Sequence, residues 1–362
     1  MKYKIIIIIL TTFLTINLVA CRTANQSAES SELKDSTRSN ESVELKETTD
    51  SSKSVKKDTE VPALAESATL VAMKGPTAIG LAQYTSEKIT ESINQNLSYE
   101  ILTMPDQVAT GLIKGEIDLA CIPANLAATV YNKSEGKIQV AAINVLNVLH
   151  FATNNVELNS LNDLEGKSVY ATGKGSTPEV ILNNLLAKAG LNIGTNITIN
   201  YLPEATEVAA KLQAEEGAIA LLQEPFLSSV TMKNSQIKTQ LDLEQLWQEY
   251  FGENSKIVTG VLVIRKEFVE QNSLWFDKFL EDYKSSAEWV NQNPTEAAKI
   301  IEEQGIIGAA IAEKAISNIG ISLITDQELQ DTLAPYLEIL ATNNPELIGE
   351  KLPADDFYYK NN

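Results

Sequence analysis

Four short segments carry the residue types that grip a small polar molecule without reacting with it. They are Lys74-Gly75-Pro76-Thr77, Pro123-Ala124-Asn125-Leu126, Gly173-Lys174-Gly175-Ser176-Thr177 and Gln223-Glu224-Pro225-Phe226. Turns of Gly and Pro present backbone N–H groups, Ser and Thr present hydroxyls, and Asn125 and Gln223 present neutral amides. Lys74 and Lys174 add positive charge at matching places, which suits a sulfonate or carboxylate. Glu224 suits an amino group, as on a pyrimidine, or else caps the helix that follows it. The same Gly, Pro, Ser and Thr are also ordinary turn and cap residues. What argues for more is that the segments occupy equivalent places in a repeat.

Groups that make or break bonds are scarce. The 362 residues hold one His (His150) and two Cys, too few for a His/Cys metal cage, and nothing calls for a cofactor. There is no Gly-x-Ser-x-Gly elbow, and residues 173–177 lack the spacing of a nucleotide-binding Walker loop. General acid–base work usually needs a positioned, tuned group such as His, and His150 stands alone in a β-type run. These residues point to binding, not to an enzyme.

Each segment ends a short apolar run and opens a helical pattern, the unit of an α/β fold. The four runs are Ala68 to Met73, Asp118 to Ile122, Lys167 to Thr172 and Ala218 to Leu222, and two more of the same kind, Ser98 to Met104 and Asn196 to Tyr201, end at Pro105 and Pro203. Gly75 and Gly175 lie 100 residues apart, Pro105 and Pro203 98, and Pro123 and Pro225 102. Three landmarks at nearly one offset predict two similar α/β lobes. In open parallel sheets ligands sit beyond the carboxyl ends of the strands, so two facing lobes bring the four segments to one cleft. Helix N-termini there favour polar or anionic groups. Val140 to Thr153 and Ile257 to Ile264 read as two strands that cross between lobes and form a hinge. The expected division is 61–147 with 258–362 as the first lobe and 148–257 as the second. From about Lys266 the chain reads as helices that complete and brace the first lobe. Trp275, Phe276, Phe279, Leu280 and Tyr283 fall at helical spacing as a core stripe.

The first twenty residues read as an export signal: Lys2 and Lys4, then an apolar run from Ile5, then Leu18-Val19-Ala20-Cys21. The last four resemble a bacterial lipobox. That resemblance implies cleavage before Cys21 and a diacylglycerol on its sulfur, which holds the protein extracytoplasmically on the cell membrane. The alternative is an uncleaved signal anchor with an incidental Cys. Residues 21–60 read as a disordered tether, since 14 of residues 22–60 are Ser or Thr and 16 are charged. Overall 29 Lys and Arg oppose 48 Asp and Glu, a net charge of −19. That balance excludes a nucleic-acid partner, which requires clustered positive charge.

The lipobox, Gly75-Pro76-Thr77, Leu161-Asn-Asp163-Leu164-Glu-Gly166-Lys167 before a strand, and Gln223-Glu224-Pro225 together resemble the solute-binding proteins of ABC importers. The nearest branch serves uptake of nitrate, taurine, alkanesulfonates and thiamine precursors. The resemblance spans roughly Ala68 to Pro294. It implies a two-lobed periplasmic-binding-protein fold of the second topological type. It also implies a monomer that closes on a small polar or anionic organic solute and delivers it to an ABC permease. The expected contacts are the residues of the four segments: Lys74, Gly75, Pro76, Thr77, Pro123, Ala124, Asn125, Gly173, Gly175, Ser176, Thr177, Gln223 and Glu224. A lipid-anchored sensor domain and an enzyme of the same fold are the alternatives.

Overall fold

Strand β1 (Ala68–Met73, ATLVAM) is apolar along almost its whole length and buried on both faces, the pattern of a central parallel strand. It pairs in parallel with β2 (Leu97–Leu102) and β3 (Leu119–Pro123). The computed structural model describes residues 67–86 and 96–360; the expected signal, Cys21 and the tether fall outside them. The sheet continues through β10 (Gly260–Arg265), which is antiparallel to β3 and to β4 (Ile138–Val145), and ends at β11 (Ile321–Ile324). Its order is β11-β4-β10-β3-β1-β2.

A second sheet repeats the plan. Strand β6 (Ser168–Ala171) pairs in parallel with β7 (Thr198–Tyr201) and β8 (Ile219–Gln223). Antiparallel β5 (Leu149–Asn154) follows, then β9 (Ile237–Thr239), giving the order β7-β6-β8-β5-β9. The equivalent strand ends Met73 and Ala171, Leu102 and Tyr201, and Pro123 and Gln223 lie 98, 99 and 100 residues apart. Residues 121–130 and 221–230 bury the same positions, one for one. The partner of Pro123 in the repeat is therefore Gln223, not Pro225. In each sheet the fourth strand is supplied by a crossing segment: Gly260 stands opposite Pro123, and Leu149 opposite Gln223.

The expected single run from Val140 to Thr153 is two strands. Asn147 interrupts it, because its side chain donates to Leu149 O (2.8 Å) and accepts from Leu149 N–H (3.0 Å). An Asn amide that serves its own neighbourhood in this way displaces ladder pairing. Gly320 lies against the break. Leu146 N–H donates to its carbonyl at 2.8 Å, and an added Cβ on Gly320 would sit 2.7 Å from Leu146 Cβ. The other crossing segment is irregular through residues 255–259 and joins the ladder only at Gly260.

Helix Ser273–Gln292 buries Trp275, Phe276, Phe279 and Tyr283 in the core behind the first sheet. Tyr84 meets Phe279 edge-on at 5.2 Å. The last long helix, Asp326–Asn343, does more than brace the first sheet. It packs on β4 and on helix Thr177–Lys188 of the second sheet, so Leu333, Tyr336 and Leu337 share one core with Val180, Leu185 and Trp247. Among the described residues no helix is long and apolar enough to cross a membrane.

Candidate functional site

Between the two sheets lies a pocket of about 260 Å³. The first sheet contributes Pro123 and Asn125, at the end of β3 and the start of helix Ala124–Lys133. The second contributes Gln223 at the end of β8, and Ser176, Thr177, Pro178 and Ile181 from the start of helix Thr177–Lys188. The crossing segments form the floor with Val148, Leu149, Val258 and Thr259. Tyr336 of the last long helix completes it.

Backbone hydrogen bonds fix these pieces. Ala124 N–H donates to Thr259 O at 3.0 Å, and Thr259 N–H to Val145 O at 3.0 Å, which ties the β3 loop to a crossing segment. Glu224 N–H donates to Val148 O at 3.0 Å and does the same for the β8 loop. The β6 loop folds back on itself: Gly173 and Gly175 both have φ +77°, and Ser176 Oγ donates to Gly173 O at 2.6 Å. A Cβ on Gly173 would lie 2.6 Å from Ser176 Oγ. This turn requires glycine.

Of the expected contact residues, Pro123, Asn125, Ser176, Thr177 and Gln223 meet at this pocket. Ala124 lies buried beneath it, and Gly173 and Gly175 shape the loop without lining the space. Glu224 is 1% exposed; its carboxylate accepts from Ser228 N–H (3.0 Å), Ser228 Oγ (2.9 Å) and Asn318 Nδ2 (2.7 Å). It caps its own helix and holds Asn318, 94 positions further along the chain. Lys74, Gly75, Pro76 and Thr77 do not line the pocket. Lys74 is exposed, and Thr77 is buried, with Oγ1 donating to Met73 O at 2.8 Å and its carbonyl accepting from Asn144 Nδ2 at 2.9 Å.

Titratable groups face elsewhere. His150, next along β5 from the pocket residue Leu149, points to Asn318 O (Nε2 at 2.9 Å), and burial lowers its pKa. It lines a separate cavity of about 350 Å³ together with Asp242 and Glu244. Burial pushes the Glu244 carboxyl up to about 7 and the Cys121 thiol up to about 12. Among the described residues Tyr336 is the one titratable side chain that lines the pocket between the sheets, and burial raises its pKa as well.

The sequence reading did not pick out Tyr336, Val148, Val258, Pro178 or Ile181. Ile181 follows one turn after Thr177, so helical spacing could have found it. Nothing local marks Tyr336, which reaches the pocket from 159 positions beyond Thr177.

Residues 78–337 match the family model described as menaquinone biosynthesis, and the chain belongs to that family. No curated protein matches the chain. Among solved structures, an ABC transporter protein from Parabacteroides distasonis superposes with a TM-score of 0.68 at 23% identity, over 82% of this chain and 100% of that one. The periplasmic aliphatic sulphonate binding protein of Escherichia coli gives 0.66 at 16% identity, over 82% and 92%. The alkanesulfonate-binding protein of Xanthomonas axonopodis pv. citri, bound to MOPS, gives 0.55 at 16%, over 81% and 96%. The fold is that of the binding proteins of ABC importers.

Proposed function

We propose that this member of the menaquinone-biosynthesis family is the extracytoplasmic solute-binding component of an ABC importer. It would be tethered through a diacylglycerol on Cys21, capture a small organic solute and hand it to a permease. One observation carries the reading: the pocket draws its walls from the loops of both sheets and its floor from both crossing segments. Contacts divided in this way are all satisfied only when the two halves approach. A solute that engages both therefore favours the closed state by its differential affinity. The lobes are 61–147 with 258–362 and 148–257, and the irregular segments 146–148 and 258–259 absorb the rotation. The sulfonate-binding relatives of the same fold add support from likeness of architecture.

Purification of the protein from its own cells, followed by mass spectrometry of the released small molecule, tests this directly. A single solute bound in stoichiometric amount is expected, with its affinity lost in Asn125→Ala and Thr177→Ala. Recovery of no solute under any growth condition would remove the reading. For the anchor, Cys21→Ala is expected to move the protein from the membrane fraction to the soluble one.

The family's description favours a second reading, an enzyme of this fold. Tyr336 alone would have to serve as acid or base at this pocket, and its raised pKa holds the phenol protonated. Recovery of the bound solute chemically unchanged after prolonged incubation supports capture; a converted product would install the enzyme.

A further inference from the structure

We infer that the pocket accepts an uncharged solute, with an apolar body and hydrogen-bonding edges, and excludes anions such as sulfonates. The inference rests on the reading of this pocket as the solute site. No charged side chain lines it. Its polar surface comes from neutral groups, Asn125, Ser176, Thr177, Gln223 and Thr259, set against apolar walls that include Ile181 and Tyr336. An anion transferred there from water would leave its hydration behind and meet no cation, which is costly. Lys74 and Lys174, the cations expected beside the solute, are exposed and absent from the lining.

The start of helix Thr177–Lys188 is the feature that would otherwise attract an anion. A carboxylate of the chain itself already stands at that end of the helix. Glu179, in the first turn, accepts the Gly175 N–H at 2.6 Å. Glu179 also faces Tyr201 at the end of β7, whose pKa is raised by burial first and then by the Glu179 charge. On the adjoining loop Glu224, next in sequence to the pocket residue Gln223, is buried with its carboxylate bonded to Ser228 and Asn318. The charged groups nearest in sequence to the lining are thus acidic and engaged by the chain itself, and no basic side chain is part of the lining. The lining therefore offers neither a negative nor a positive solute a charged partner on its surface.

A small-molecule extract of the producing cells, split by anion exchange into retained and flow-through pools, provides the probe. Each pool is added to the full chain in a thermal-shift assay, and bound molecules are identified by mass spectrometry. The flow-through pool is expected to raise Tm through an uncharged solute, with the retained pool at least about 100-fold weaker. A bound sulfonate, carboxylate, phosphate or fixed cation overturns the inference and leaves the binding reading standing. A shift from neither pool overturns the binding reading and the inference together. In Glu179→Gln the retained pool is expected to gain a shift while the flow-through shift persists. No gain there would remove Glu179 from the argument.

Discussion

The loops after β1 and β6 hold the same place in a duplicated sheet, yet one is sealed and the other open. After β1, Thr77 is buried under Gly260, with Asn144 bridging the Thr77 carbonyl and the Tyr283 hydroxyl at 2.9 Å each. After β6, Ser176 and Thr177 face free space on the pocket wall. The difference comes from what packs against each loop. The first is covered by β10, whose counterpart in the second sheet is β5, and by helix Ser273–Gln292, which follows the repeated units in the chain. Duplication fixes where a loop begins, and later additions to the chain decide whether it can meet a ligand.

The sharpest way to break this contrast is to force the sealed side apart. A Cβ on Gly260 would lie 2.7 Å from both Asn144 Oδ1 and Thr77 Cγ2. Gly260→Val is therefore expected to lose about 3 kcal/mol or more of stability by overpacking, read as a lower denaturation midpoint. On the open side, Thr177→Tyr should fill the pocket. Affinity for the co-purifying solute is expected to fall at least about 100-fold, or about 2.7 kcal/mol, while Tm without solute stays unchanged. Titration calorimetry and melting scans would show whether the two effects separate. Asn144→Ala strips the partner from a buried carbonyl and is expected to lose about 2 kcal/mol, leaving the solute Kd nearly intact. The smallest effect belongs to Lys74→Ala: solute affinity within about twofold of the parent protein. A large loss there would return the β1 loop to the binding surface.

The strand–turn–helix units and their repetition were legible because apolar runs and Gly/Pro turns are local signals. The register of the repeat was less so. Pro123 and Pro225 attract attention as matching punctuation, but ladder pairing aligns Pro123 with Gln223. A proline two residues late can open the same helix, so its position in sequence is a loose marker of where a strand stops. The break at Asn147 was hidden for a related reason. Its neighbours are β-formers, and the interruption arises from two hydrogen bonds of one side chain. Of the site, the parts at the start of helices were readable from turn chemistry. Whether a given loop faced a cavity or a covering helix depended on contacts across more than 60 residues, as between Thr77 and Asn144. Tyr336 arrives from farther still. No periodicity in its own helix distinguishes a ring that looks onto a cavity from one that fills a core.

That helix, Asp326–Asn343, leans on both halves of the molecule beside the two crossing segments. Points near a pivot travel least. If the halves turn about these three strands of chain, the surface made by Val148, Leu149, Val258 and Tyr336 keeps its shape throughout, while Asn125 and Thr177 swing. A guest would first settle on a constant greasy seat and only afterwards be inspected by the polar jaws. Recognition would then run in order, shape before hydrogen bonding.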